Sequence, residues 1–241
     1  MLRVLALTRY GDLGSSSRVR HHELVEPLAR RGVEVDVAAL LDDAYLEARY
    51  SGDRIDRVAT LSAYGRRVRD LLGSRRYHVV WLEKEALPWV PGPVETALMS
   101  RRTPLVVDVD DLWADRYESL SSPWARRLLA DKFTPVLRRA TVVTAANQTL
   151  AADLRARGAR QVEIVPGSLD LRRYPEPVPA PDRFTVGWIG SPMTAARYLP
   201  RVVDPLRRLV ERTDAQVLLI GAGDAVPSLT AQRPPWSYDT E

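Results

Sequence analysis

Short apolar runs alternate along the chain with longer stretches of helical period. Residues 2–7, 33–40, 79–82, 105–109, 141–143 and 162–165 are brief, rich in valine and bounded by polar stretches, the pattern of buried strands. Between them, residues 17–30, 58–72, 94–101, 125–137 and 149–157 place apolar side chains at three- and four-residue intervals, which predicts helices with one buried face. Gly32 and Gly158 mark helix stops, and Pro27 kinks or shortens the first helix. Six strands alternating with helices predict a parallel sheet covered on both faces, a Rossmann-like doubly wound α/β domain.

The texture changes at RRYPEPVPAPD, residues 172–182, whose four prolines favour an extended connection over any helix or central strand. A domain over 1–173, a proline-rich hinge over 174–182 and a second domain over 183–241 follow. The second domain starts with a strand at 184–189, a helix at about 195–212 and a strand at 216–220. The fifty-eight residues from Phe184 onward are fewer than the roughly 100 of a usual doubly wound domain, so it reads as partial.

A strand, a glycine turn and a helix therefore open the chain twice, at residues 4–28 and 184–209. The turn at Gly190 and Ser191 aims backbone N–H groups and a helix N-terminus at one spot, which suits a phosphate. The two units facing each other across a hinge would make a cleft. With the strand order 3-2-1-4-5-6, the first and fourth strands are neighbours, and ligands bind beyond their carboxyl ends. The loops meeting there are TRYGDLGSSSRVR, residues 8–20, and DVDD, residues 108–111. Gly11 and Gly14 allow close backbone approach, and Ser15 to Ser17 are candidates to cap the next helix.

Composition narrows the chemistry. There is no cysteine, which excludes disulfides, thiolate nucleophiles and cysteine-ligated zinc. No run approaches the roughly 18 apolar residues of a membrane span, and Arg3 and Arg9 interrupt the N-terminal apolar stretch, so a cytoplasmic location is the default expectation. The net charge is +4, and only Lys84 and Lys132 among thirty-five basic residues are lysines. The pairs Arg66-Arg67, Arg75-Arg76, Arg126-Arg127 and Arg138-Arg139 are interleaved with acids, unlike a nucleic-acid stripe, and read as solvated helix faces. The residual positive field suits anionic ligands or peripheral contact with an anionic membrane surface. His21 and His22 have no spaced partner for a metal and read as helix surface.

The strings SSSRVRHHELVEPLARRGVEV, WLEKEALPWVPGPVETAL, PLVVDVDDLW, ATVVTAANQTLA, VEIVPGSLDLRRY and WIGSPMTAARYL resemble the retaining glycosyltransferases of family 4, of GT-B architecture. The resemblance implies two Rossmann-like domains, the first holding the acceptor and the second a nucleotide-sugar donor, with no metal cofactor. On the donor side it implies Gly190, Ser191, Thr194, Arg197 and Gly14. On the acceptor side it implies Gly11, Ser15, Arg18, Arg20 and Glu85. Asp110, or secondarily Asp108, would orient or deprotonate the acceptor hydroxyl if burial raises its pKa.

The chain departs from that family where many relatives carry histidine after the fourth strand, here Asp110, and an Arg and Lys pair after the donor turn, here Thr194 and Arg197. Diphosphate neutralisation then rests on the helix N-terminus, hydroxyls and Arg197. The acidic motif deep in the donor domain has no counterpart before Glu241, which leaves open a truncated, non-catalytic binding module. A further alternative is a haloacid dehalogenase-like phosphatase with Asp108 as nucleophile and Asp110 as general acid. It lacks the required later lysine and a second acid within four residues of Asp224, so its magnesium site would be short of ligands.

Overall fold

A computed structural model describes residues 1–170 and 182–237. All but the last residue of the expected hinge, 174–182, lies outside the described residues. The chain clusters into two compact units, Met1–Arg49 with Arg54–Asp170, and Tyr50–Asp53 with Leu171–Glu241.

The first unit is a six-stranded, wholly parallel sheet in the order β2-β1-β3-β4-β5-β6. Its strands are β1 (Leu2–Tyr10), β2 (Val33–Leu41), β3 (Val79–Glu83), β4 (Leu105–Val109), β5 (Val142–Ala145) and β6 (Val162–Ile164). This order corrects the expected 3-2-1-4-5-6: β1 has β3, not β4, as its inner neighbour. The reason lies in the strands themselves. VEVDVAALL of β2 alternates acids with apolar residues and stays half-buried, as an edge strand does. Arg3 on β1 pairs across to Glu34 at 3.5 Å and Asp36 at 3.0 Å. VVWLE of β3 offers few polar positions and takes the interior place. The switch point therefore falls between β1 and β3.

Helices α1 (Ser15–Arg20), α2 (Val25–Ala29), α3 (Asp43–Ser51), α4 (Arg57–Gly73), α5 (Gly92–Leu98), α6 (Asp115–Glu118), α7 (Pro123–Leu129), α8 (Phe133–Arg139) and α9 (Gln148–Ala156) connect these strands. Two expected helices are split. Residues 17–30 divide into α1, a 3-10 turn at His22–Leu24 and α2, in which Pro27 occupies the first turn, where its missing N–H costs little. Residues 125–137 divide into α7 and α8 because Pro135 cannot sit inside one continuous helix and is accommodated in the first turn of α8. The main core cluster contains Leu5, Leu7, Leu82, Val107, Val136, Leu137 and Ala151, each at most 4% exposed, and Leu40, Leu41 and Ala63 form a smaller one.

In the second unit, β7 (Thr185–Ile189) and β8 (Gln216–Ile220) pair in parallel, with α10 (Pro192–Tyr198) and α11 (Val203–Arg212) between them. Ala195, Leu199, Val203, Val217, Leu219, Ala222 and Leu229 form its own small core, and Trp188 packs against it.

Candidate functional site

The carboxyl ends of β1, β3 and β4 carry a dense set of charges, most of them buried. Strand β3 ends at Glu83, which is 3% exposed and accepts from the Arg9 backbone N–H at 2.8 Å and the Ser17 hydroxyl at 2.6 Å. Ser17 in turn accepts from the Tyr10 N–H at 3.1 Å. The expected serine cap is thus corrected: Gly14 occupies the N-cap of α1 without a side-chain bond, and Ser17 stitches the loop to two strands instead.

Asp108, at the end of β4, accepts both prongs of the Arg20 guanidinium at 2.6 Å and also bonds the Thr144 hydroxyl. Arg20 donates further to the Val165 carbonyl at 3.0 Å. This bidentate pair is charge-assisted and geometrically fixed. It borders an apolar groove of about 390 Å³ lined by Val4, Leu24, Leu28, Trp81 and Val106. With both oxygens engaged, Asp108 is not placed as a phosphatase nucleophile, and Arg20 has spent its fork inside the protein.

Asp110 and Asp111 flank Lys84. The Lys84 ammonium lies 2.6 Å from Asp110 and 3.3 Å from Asp111, and 4.8 Å from the centre of the Trp113 ring. Lys84 has φ +56°, a left-handed conformation costing on the order of 1–3 kcal/mol for a non-glycine residue. Its N–H donates to the Asp108 carbonyl at 2.9 Å, which helps fix that conformation. Burial pushes the Asp110 carboxyl up, but the Lys84 charge and bonds from Lys84 and Ser16 outweigh it and hold the pKa below its ordinary value. The condition that burial raises the Asp110 pKa is therefore corrected. Desolvation, with Asp110 adding like charge, instead raises the pKa of the half-exposed Asp111 against the pull of Lys84.

Glu85 is 2% exposed and receives four donors. Arg9 reaches it at 2.8 Å, the Trp113 ring N–H at 2.6 Å, the Tyr117 hydroxyl at 2.7 Å and Lys132 at 3.1 Å. Burial raises its pKa, yet Lys132 and Arg9 overcompensate and keep it ionised. Those donors fill the acceptor capacity of a carboxylate, so Glu85 holds the loop together and does not face an acceptor as expected. Lys132 also binds Glu95 at 2.7 Å and the carbonyls of Leu87 and Val90 at 2.7 Å each.

The glycine loop is tight for internal reasons. A Cβ on Gly14 would lie 2.5 Å from the Tyr10 Cβ, and one on Gly11 would lie 2.5 Å from the Asp43 carboxylate. Ser15 is exposed, whereas Arg18 is 3% exposed, with Nε 3.4 Å from Glu23. Further corrections concern residues expected on the surface. His21 is fully buried, its ring tilted against that of Trp81 with centroids 4.3 Å apart. Arg67 is 1% exposed, and donates to the carbonyls of Thr8 at 2.6 Å and Ala38 at 2.8 Å; burial lowers its pKa to about 10.

In the second unit, Ser191 caps α10. Its hydroxyl accepts from the Thr194 N–H at 3.4 Å, and the Thr194 hydroxyl donates to the Ser191 carbonyl at 2.9 Å. Gly190 ties this turn to β8 by donating to the Ile220 carbonyl at 3.1 Å. Arg197 is exposed in the last turn of α10, over the Tyr198 ring at 5.4 Å, with no carboxylate partner among the described residues. No group of three or more His, Asp or Glu side chains among the described residues is placed to hold a metal ion. No helix among them is long and apolar enough to cross a membrane.

The residues that sequence reasoning missed are Arg9, Lys84, Trp113 and Lys132. One signal was present: in a chain that uses arginine nearly everywhere, both lysines are buried in ion pairs. A compact ammonium fits between two carboxylates where a planar guanidinium does not.

A six-stranded parallel sheet with charged loops at its carboxyl edge defines a Rossmann-like α/β unit. The family described as glycosyl transferase 4-like domain matches residues 16–168, well over half of the sequence, and the chain belongs to that family. No curated protein matches it. Solved structures share the fold at low identity. A protein described as a UDP-N-acetylglucosamine 2-epimerase from Listeria monocytogenes aligns with TM-score 0.56 and 9% identity, over 99% of this chain and 70% of that one. An alpha-glucosyltransferase in complex with UDP and a 13-mer DNA containing an HMU base aligns with TM-score 0.53 and 13% identity, over 98% and 66%. The glycotransferase of kitacinnamycin aligns with TM-score 0.51 and 13% identity, over 98% and 71%. The chain thus spans about two thirds to seven tenths of their lengths.

Proposed function

We propose that the chain transfers a sugar from a nucleotide-sugar donor to an acceptor hydroxyl with retention, in the making of a glycan, a glycolipid or a glycosylated metabolite. The observation that carries this reading is Asp110, an ionised carboxylate held by a buried lysine at the carboxyl edge of the sheet in a family of glycosyltransferases. A carboxylate with a depressed pKa is a poor proton acceptor but a strong hydrogen-bond acceptor, so its role is to orient the hydroxyl. Asp111, pushed upward and half-exposed, is the better base of the two.

Departure of the nucleoside diphosphate is the larger electrostatic demand. Ser191 supplies a hydroxyl donor, the Gly190 and Thr194 N–H groups and the Thr194 hydroxyl being engaged within the turn and the sheet, and the exposed Arg197 supplies charge that no described carboxylate neutralises. This reading requires no metal. A fold neighbour is described with UDP, which makes nucleoside diphosphates the first ligands to screen by thermal shift.

Two outcomes test the assignment. Calorimetry should show that the best diphosphate binds Ser191→Asp about tenfold more weakly through charge repulsion; equal affinities would remove the turn from the site. With the donor and acceptor in hand, Asp110→Asn should lower turnover by about a hundredfold while donor affinity holds. Unchanged turnover would leave Asp110 as a structural partner of Lys84.

A further inference from the structure

The helices cover the two faces of the first sheet unequally. Successive residues of a strand point to opposite faces. On one face Val80, Leu82, Leu105, Val107 and Val143 are each at most 4% exposed. On the other, Val79, Trp81 and Val106 are only half-buried, although a parallel sheet normally buries both faces. These three line the groove of about 390 Å³ beside Arg20 and Asp108, together with Leu24 and Leu28. Eleven of its fifteen lining residues are apolar, so it offers an apolar body little but contact. It reaches from Val33 on β2 to Thr144 on β5, five adjacent strands whose spacing gives a span of about 19 Å.

One end is polar. Arg20, Asp108 and Thr144 are bonded to one another there. Arg20 is 9% exposed, and its Nε and Nη2 are held by Asp108 and the Val165 carbonyl. Nη1 is the one nitrogen of that guanidinium that donates to nothing among the described residues. The carboxylates of Asp108, Asp110 and Glu83 all act on Arg20, so its charge is already balanced within the protein.

We infer that this groove binds a neutral amphiphile, an alcohol with an elongated apolar body, whose oxygen accepts from Arg20 Nη1 and whose body lies across the strands over Trp81. Size selects a small molecule. The volume falls at the lower end of the roughly 300–1,000 Å³ of ligand sites, whereas a helix about 10 Å across would fill about 1,500 Å³ over the same span. The unused N–H donors call for an oxygen, and the balanced charge calls for a neutral one. The groove is also continuous with the charged edge of the sheet, since Asp108 belongs to both. That such an alcohol is the sugar acceptor rests on the transferase reading above; its binding does not.

The test is calorimetry on the full chain, without donor, using 1-hexanol, 1-octanol and 1-decanol. Affinity should rise about 15-fold for each added pair of methylenes, the increment of complete burial. Decanoate at about pH 8 should bind at least about tenfold more weakly than decanol, because a buried carboxylate would find no free cation. Val106→Phe, which fills the groove, should weaken decanol about tenfold, and Leu24→Ser about fivefold. Both residues are half-buried, and a thermal melt matching the parent's verifies each fold. No binding of decanol overturns the inference, as does affinity that ignores chain length or binding that neither variant weakens. Tighter binding of decanoate overturns the neutral head. A parent that dimerises as its concentration rises, without binding decanol, also overturns the inference and gives the groove to a second copy. Since no donor is present, a failed groove leaves the transferase reading intact, and failed diphosphate binding leaves the groove intact.

Discussion

At the residue scale, His21 turns burial into a pH response. Its ring is fully buried against Trp81, and neither ring nitrogen has a hydrogen-bond partner among the described residues. Desolvation pulls its pKa below the ordinary 6.5, against the attraction of Glu83 and Asp108 and together with repulsion from Arg20 and His22. The unfolded chain therefore binds a proton at 6.5 that the folded chain refuses. Stability must fall as the pH drops through that value and level off below the lowered folded pKa. The slope cannot exceed about 1.4 kcal/mol per pH unit for one group. Thermal melts between about pH 8 and pH 5 should show this loss, and His21→Phe, which keeps a ring on Trp81, should flatten it. Parallel curves for the two proteins would mean that the imidazole is protonated in the fold. Beside this site, Lys132 stands between Glu85 and Glu95 with no exposure of its side chain, so removing it would leave the buried Glu95 without its cation and Glu85 with Arg9 alone.

At the element scale, the packing of α5 against α8 depends on an absent side chain. A Cβ on Gly92, the first residue of α5, would sit 2.0 Å from the Lys132 carbonyl oxygen and 3.3 Å from Pro135. The obstacle is backbone, so one helix must move. Gly92→Ala should cost about 1–3 kcal/mol in urea unfolding, and more if the Lys132 bonds to Leu87 and Val90 break with it. An unchanged midpoint would show that the helices separate freely. The helices themselves were legible to different degrees. Helix α4 was anticipated to within a residue at each end from its helical spacing of apolar positions; Ala63 and Leu71 do face the core, but so does Arg67 between them, which the pattern assigned to the surface. Helix α3 was missed because DAYLEARYS buries Leu46 alone and shows almost no apolar stripe.

At the scale of the whole molecule, the two units differ in their means of support. The large core of the first draws on residues 5–162 alone. The core of the second has seven buried members among the described residues. A fragment of residues 1–170 should therefore melt cooperatively, whereas residues 182–237 should show no cooperative transition, since so small a core rarely offsets chain entropy. A featureless melt from the first fragment would mean that its core is insufficient by itself.

Much of the fold was legible because it rests on local periodicity. The six strands of the first sheet, the turn from Ile189 through Ser191 and the helices with strong apolar faces are each written in neighbouring residues. Strand order was not, because it depends on where each crossover lands. The alternating acids of β2, which identify an edge, can be weighed only against the other strands. The roles of the charged residues were hidden for the same reason. Asp108, Glu85 and Arg20 look like free functional groups in one dimension. Their oppositely charged partners lie 47 to 88 residues away. Pattern determined which elements exist, since a helix or strand forms from its own neighbours. Only the folded chain decided which charges are spent internally and which stay available, because pairing depends on distance in space.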